Sequence, residues 1–140
     1  MTDLSLNVSR TIKAPIERVY NAWLDPAMLA RFMLPGEGMS VPEADTDPRV
    51  GGRFSIIMAA GEDKLPHGGE YKELDPHTRI VFTWESPFSA DGSTVTINLK
   101  EVDAGTHVEL THVTFVNEES RDNHEAGWGA ILDKLNEVVL

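Results

Sequence analysis

Two histidines are the residues best suited to chemistry. His112 shares the strand parity of Val108 and Leu110, which places its imidazole on an apolar face. His124 lies one turn before Trp128 on a predicted helix, so both side chains can border one space. Either ring could act as an acid or base, because burial and neighbouring charges shift the pKa of an imidazole. The alternatives are a structural His112 bonded to a neighbouring side chain and a half-exposed His124 near the helix start.

Other reactive groups are missing or lack the required spacing. The chain has no cysteine, which excludes disulfides, thiolate catalysis and cysteine zinc sites. The two histidines have no Asp or Glu at ligand spacing, and no His-Glu-x-x-His or Gly-Lys-Ser/Thr motif occurs. No nucleophile-elbow motif surrounds a serine. We therefore predict no catalytic residue, no metal and no cofactor, and we favour a binding protein over an enzyme.

Arg10 is a candidate for binding an acidic group, because it shares the parity of the apolar residues of its predicted strand. It could meet the acid group of a ligand or pair with an acidic side chain of the sheet. Since buried charges are nearly always matched, we favour the internal pair. Gly127 and Gly129 lie within a predicted helix, where together they cost about 2 kcal/mol relative to alanine. That cost indicates close backbone packing or space left for another group.

The middle of the chain alternates with a period of two, which is typical of strands joined by short turns. The in-phase sets are Phe54, Ile56 and Met58, then Ile80, Phe82 and Trp84, then Val95, Ile97 and Leu99, and finally Val108, Leu110 and His112. An earlier strand is predicted from Leu4 to Ile12. The connections are too short for crossover helices, so the sheet is predicted to be an antiparallel meander.

Three helices complete the prediction. Two short ones begin near Pro15 and Pro26, each at a start signal. A long one follows Asn117, a plausible N-cap, and spans about twenty residues or 30 Å. Its apolar stripe comprises Trp128, Ile131, Leu132, Leu135, Val138 and Val139. We predict an α+β helix-grip fold over residues 1–140 as one domain, in which a curved antiparallel sheet wraps around the C-terminal helix.

Charge and composition limit the classes of molecule that the protein can bind. Of the residues, 41% are hydrophobic, and 23 acidic residues against 12 basic ones give a net charge of −11. A chain this acidic is a poor binder of nucleic acid or of an anionic membrane, although it suits a basic patch on a protein. No signal core or apolar run of about 18 residues is present, which favours the cytoplasm. Both monomer and homodimer remain open.

The chain resembles the START-like (SRPBCC) superfamily, and more narrowly the activator of heat-shock-protein-90 ATPase homologue-like family. The matching segments are RTIKAPIERVY at 10–20, AWLDP at 22–26, GEYKELDP at 69–76, RIVFTW at 79–84, LTH at 110–112 and GW at 127–128. The resemblance covers essentially the whole chain and implies a helix-grip fold. Met33 and Leu34 stand where members often carry a second aromatic residue. The family implies function only loosely, since its members include ligand carriers, enzymes and co-chaperone domains.

These observations lead to three hypotheses of function. The first is a carrier or sensor of a small apolar molecule, held in a cavity between the sheet and the C-terminal helix. A cavity of about 300 Å³, the low end for ligand sites, would be costly if empty, so we expect the space to be small, occupied by water or filled by ligand. Its predicted ligand-binding residues are Phe54, Ile56, Tyr71, Phe82, Trp84, Ile97, Leu110, His112, His124, Trp128 and Leu132. The second is a co-chaperone domain that binds a heat-shock-protein-90 family chaperone in the stress response. The third is an enzyme that uses His112 or His124 on a bound substrate.

Overall fold

The chain folds as an antiparallel sheet with three helices, as seen in a computed structural model that describes residues 4–36, 38–87 and 89–139. Within these ranges the strands are β1 (Ser5–Ile12), β2 (Met39–Thr46), β3 (Arg53–Ala60), β4 (Asp63–Asp75), β5 (Arg79–Thr83), β6 (Thr94–Val102) and β7 (Gly105–Val113). The helices are α1 (Ile16–Ala22), α2 (Pro26–Phe32) and α3 (Glu118–Val138). The helix-grip prediction is confirmed.

The sheet is a meander with one closing strand. Its seven strands among the described residues run in the order β1-β7-β6-β5-β4-β3-β2, and every neighbouring pair is antiparallel. Strand β1 pairs with β7 through Val8 and Leu110, and β6 pairs with β7 through Ile97 and Leu110. These inward side chains therefore form continuous apolar rows across the sheet.

Bulges and one glycine let the sheet curl. The pairing register shifts between Ser40 and Glu43 and again between Tyr71 and Glu73. Such irregularities bend a strand and increase its twist. At Gly69 of β4 a Cβ atom would collide with the Thr83 carbonyl, so only glycine permits this close approach of the strands.

Helix α3 lies against the concave face. The Asn117 side chain caps it by accepting a hydrogen bond from the backbone N–H of Ser120 at 2.8 Å, as the sequence predicted. Its buried side chains are those of Trp128, Ile131, Leu132 and Leu135. Helix α2 begins at Pro26 after an Asp25 cap and buries Leu29 and Phe32. No helix in the described ranges is long and apolar enough to cross a membrane.

A candidate ligand pocket between the sheet and the C-terminal helix

Aromatic side chains fill most of the space between the sheet and the helices. A residual space of about 10 Å³, roughly one water molecule, is lined by Trp23, Leu29, Met33, Phe54, Ile56, Tyr71, Phe82 and Trp84. The Phe54 and Phe82 rings meet edge to face, with their centroids 5.1 Å apart. The predicted site residues Phe54, Ile56, Tyr71 and Phe82 therefore surround a packed core. The other predicted residues Ile97, Leu110 and Leu132 are fully buried within that core.

A larger pocket opens at one end of this core, and we call it the His67–His124 pocket. It has a volume of about 160 Å³ and is lined by Pro35, Met58, His67, Trp84, Asn123, His124, Gly127, Trp128 and Ile131. This is about half of 300 Å³, the low end of the volumes of ligand sites. A cavity of about 150 Å³ is enough to hold one benzene ring in another protein. Trp84, His124 and Trp128 were predicted as site residues, whereas His67 and Asn123 were not.

His112 lies behind this pocket and is held on both sides. Its Nδ1 accepts a hydrogen bond from the indole N–H of Trp128 at 3.0 Å, and its Nε2 lies 2.6 Å from the Ser93 hydroxyl. Because an indole N–H can only donate, the ring hydrogen is on Nε2 and is donated to Ser93. Burial, with a smaller effect of His124, lowers the pKa of His112 to about 3. The ring is neutral and both nitrogens are engaged, so it has no free nitrogen for acid–base chemistry.

His67 and His124 are half-buried, and in contrast to His112 each contacts a hydrogen-bond acceptor through Nδ1. The Nδ1 atom of His67 lies 2.9 Å from the Leu65 carbonyl, and the Nδ1 atom of His124 lies 2.7 Å from the Ser120 carbonyl. Since a carbonyl only accepts, each Nδ1 carries the hydrogen, and each Nε2 keeps a free lone pair in the neutral ring. Burial lowers the pKa of His67, partly offset by the Leu65 carbonyl and assisted by His124. His67 is therefore neutral at pH 7, with Nε2 as an acceptor.

Two buried indole N–H groups have no acceptor. Trp23 and Trp84 are each 3% exposed, and no described residue accepts a hydrogen bond from either Nε1. A buried donor left unpaired costs about 1–3 kcal/mol. Trp84 lines the His67–His124 pocket, and its ring centroid lies 5.1 Å from that of His67 and 5.0 Å from that of Trp128.

Arg10 differs from the expected sheet pair. It is exposed, and its Nε donates to Asp133 of α3 at 2.9 Å, so its partner comes from the helix rather than from the sheet. Gly129 of α3 leaves room for this ion pair, because a Cβ atom at position 129 would lie 3.1 Å from the Arg10 guanidinium. At Gly127 a Cβ would lie 3.1 Å from the Pro35 ring, at the edge of the pocket. Both glycines thus serve close packing.

The described residues contain no cluster of three or more His, Cys, Asp or Glu side chains that could hold a metal ion. The pocket instead combines apolar and aromatic walls with two imidazole acceptors and one indole donor. This combination is suited to binding a small, mainly apolar molecule that carries a polar group.

The fold defines a START-like domain, in which a pocket opens where the last helix meets the sheet. The chain belongs to the family described as activator of Hsp90 ATPase homolog 1-like proteins, whose model matches residues 13–139. No curated protein matches the chain significantly.

Solved structures of similar proteins agree with this assignment. Protein CV1439 from Chromobacterium violaceum is 31% identical, with 96% of each chain covered and a TM-score of 0.86. The AHSA1-like protein from Aeromonas hydrophila is 28% identical, with 97% of this chain and 92% of that chain covered and a TM-score of 0.85. Protein NE0264 from Nitrosomonas europaea, at 24% identity and a TM-score of 0.81, shares the fold.

Proposed function

We propose that the protein binds a small, mainly apolar molecule of about one aromatic ring in the His67–His124 pocket, as a carrier or sensor. The observation that carries this proposal is the pocket itself, a recess of about 160 Å³ at the end of an otherwise filled core. An unfilled apolar space lowers stability by about 24 cal/mol per Å³ in truncated cores, so a molecule that fills it is favoured. The family supports ligand binding in general, because domains of this fold often bind apolar ligands.

Binding is better supported than catalysis. His112, the best sequence candidate for an acid or base, donates to Ser93 and accepts from Trp128. Proton transfer would require breaking one of these buried hydrogen bonds. The two histidines that do line the pocket offer acceptor atoms, which suit recognition of a ligand.

Thermal shift with a panel of monocyclic and bicyclic aromatic compounds tests this function. A ligand at a hundredfold excess over its Kd adds about 2.7 kcal/mol, or about 8 °C in Tm for a domain of this size. Gly127→Trp should abolish the shift, because the new side chain would occupy the pocket. Asn123→Trp, at the solvent-exposed mouth, should do the same with less risk to folding.

The matched control is Ala126→Trp, which places the same side chain on an exposed position of α3 that does not line the pocket. It should keep the full ligand-induced shift. A panel in which no compound raises Tm, or a shift that survives both pocket substitutions, would contradict the proposal. Native mass spectrometry of the protein as purified from cells would identify any molecule that occupies the pocket.

A second candidate is binding to an Hsp90-family chaperone. It is supported by the family match over residues 13–139, whose description names an activator of the Hsp90 ATPase. The net charge of −11 would favour a basic surface on the chaperone. A pull-down with a purified chaperone, repeated at about 0.15 M and 0.5 M salt, tests it. Retention that weakens at high salt, together with a change in ATPase rate, is expected. The absence of both would rule this candidate out.

A further inference from the structure

We propose that the molecule bound in the His67–His124 pocket is a one-ring phenol. Its single hydroxyl hydrogen is donated to the free Nε2 atom of His67 or of His124, and its oxygen accepts from the Trp84 indole. This inference rests on the proposed function and adds the chemical class of the ligand.

The histidines define a site that accepts hydrogen bonds. Both Nδ1 atoms are committed to backbone carbonyls, of Leu65 and Ser120, within hydrogen-bond distance. In the neutral ring of each histidine the hydrogen is therefore on Nδ1, and the tip nitrogen Nε2 presents a lone pair. No described residue donates to either Nε2. A ligand that satisfies these atoms must bring an O–H or N–H donor.

Trp84 supplies the complementary donor. Its indole N–H has no acceptor among the described residues and is shielded from solvent, and the side chain lines the same pocket, so a ligand oxygen reaches this N–H once the ring turns slightly toward the pocket. A hydroxyl group both donates and accepts, so one such group can serve an imidazole nitrogen and an indole N–H together. An ammonium group has no lone pair and would leave the indole unpaired, and an ether has no donor and would leave the imidazoles unpaired.

The walls and the volume of the His67–His124 pocket favour a ligand with a single aromatic ring. The space of about 160 Å³ is close to that of a cavity known to hold benzene. Its walls include the aromatic faces of Trp84 and Trp128 and the apolar side chains of Met58 and Ile131. A planar aromatic ring would therefore exchange water for aromatic and aliphatic contacts on both sides.

Charge argues against a carboxylate ligand of the same size. Among the described lining residues none is Lys or Arg, and the chain as a whole carries a net charge of −11. His67 is held neutral by burial. A carboxylate would therefore enter without a permanent cation to offset its desolvation, whereas a neutral phenol needs none.

The test is an NMR titration of the full ¹⁵N- and ¹³C-methyl-labelled chain with phenol, toluene and benzoate as probes. We expect phenol to bind about tenfold more tightly than toluene, as one or two net hydrogen bonds provide. We expect benzoate to bind more weakly than phenol. Phenol should move the Trp84 indole N–H signal and the Nε2 signal of His67 or His124, while toluene moves mainly the Met58 and Ile131 methyl signals.

Substitutions of the two pocket histidines distinguish hydrogen bonding to the ligand from apolar filling of the pocket. At least one of the substitutions His67→Leu and His124→Leu should weaken phenol binding about fivefold to tenfold, and neither should change toluene binding. The control is His107→Leu, because His107 lies on β7 at the opposite parity to the buried Val108 and does not line the pocket. It should leave phenol binding unchanged.

The outcomes distinguish the two proposals. If toluene and phenol bind equally well, if benzoate binds most tightly, or if both histidine variants keep full phenol affinity, the phenol inference is wrong while pocket binding stands. If no probe moves the Met58 and Ile131 methyl signals, the proposed function itself is wrong.

Discussion

His112 joins three parts of the molecule through one side chain. It lies on β7, its Nε2 meets Ser93 just before β6, and its Nδ1 meets Trp128 on α3. The sequence predicted that this histidine points inward, because its parity matches that of Val108 and Leu110. Its partners could not be predicted, since Ser93 lies in a turn without periodicity. His67 was missed for a related reason: it lies between Pro66 and Gly68, in a stretch with no regular alternation.

Ser93→Ala should destabilise the protein by about 1–3 kcal/mol. The substitution leaves the buried Nε2–H of His112 without an acceptor, and the desolvation cost of that donor is then uncompensated. Urea denaturation at pH 7 measures the change. Ser9→Ala on the exposed face of β1 is the control and should change the free energy of unfolding by less than about 0.5 kcal/mol. Equal effects of the two substitutions would contradict the role given to this hydrogen bond.

His112 should also make the protein less stable in mild acid. Its pKa is about 3 when folded and near 6.5 when unfolded, so between these values the unfolded chain binds more protons. Its contribution is present above pH 6.5 and is lost as the pH falls below that value. From pH 7 to pH 5 the free energy of unfolding should therefore fall by about 2 kcal/mol because of His112. Urea denaturation at the two pH values measures it.

The matched pair for this pH experiment is His112→Gln and His107→Gln. Removing His112 should flatten the dependence of the unfolding free energy on pH, while the His107 variant should keep most of it. His67, whose pKa is also lowered by burial, adds a smaller dependence of the same sign in both variants. A His112→Gln protein that loses as much stability between pH 7 and pH 5 as the parent would contradict the assignment.

At the scale of elements, the regular strands and the last helix could be predicted and the irregular strands could not. Strands β3, β5, β6 and β7 bury every second residue, so their parity is visible in the sequence. Strand β2 is mostly exposed, and in β4 the register shift between Tyr71 and Glu73 breaks the alternation. Such shifts depend on the neighbouring strand, which a local pattern does not report.

Helix α3 should be indispensable to the fold. Deleting residues 128–140 removes the buried Trp128, Ile131, Leu132, Leu135 and Val139. Each such side chain contributes about 1.5–3 kcal/mol, so the five together contribute about 7.5–15 kcal/mol, which is comparable to a typical total stability of about 5–15 kcal/mol. The truncated chain should show no cooperative thermal transition by circular dichroism. A transition near the Tm of the full chain would contradict the helix-grip packing.

At the scale of the whole molecule, the sequence predicted the architecture better than the size of its cavity. Parity placed Phe54, Phe82 and Trp84 on one face, but it could not tell whether these rings line a space or fill it. That depends on how far the curled sheet holds the helices away. In the structure Trp23 and Met33 also enter the core from the α1–α2 side, and only about 10 Å³ remains there. Met33, which departs from the family pattern, is thus one of the side chains that fill the core.

The position of the His67–His124 pocket has an evolutionary consequence. Part of its rim comes from Pro35 after α2 and from the exposed Asn123, while most of the stabilising burial lies in the deeper aromatic layer. Substitutions at that rim can change which molecule fits at little cost in stability, because exposed positions tolerate replacement. Descendants of one ancestral scaffold can therefore acquire different ligands while keeping the same sheet and helix. Relatives with this fold should accordingly be compared by their rim residues before a ligand is transferred from one to another.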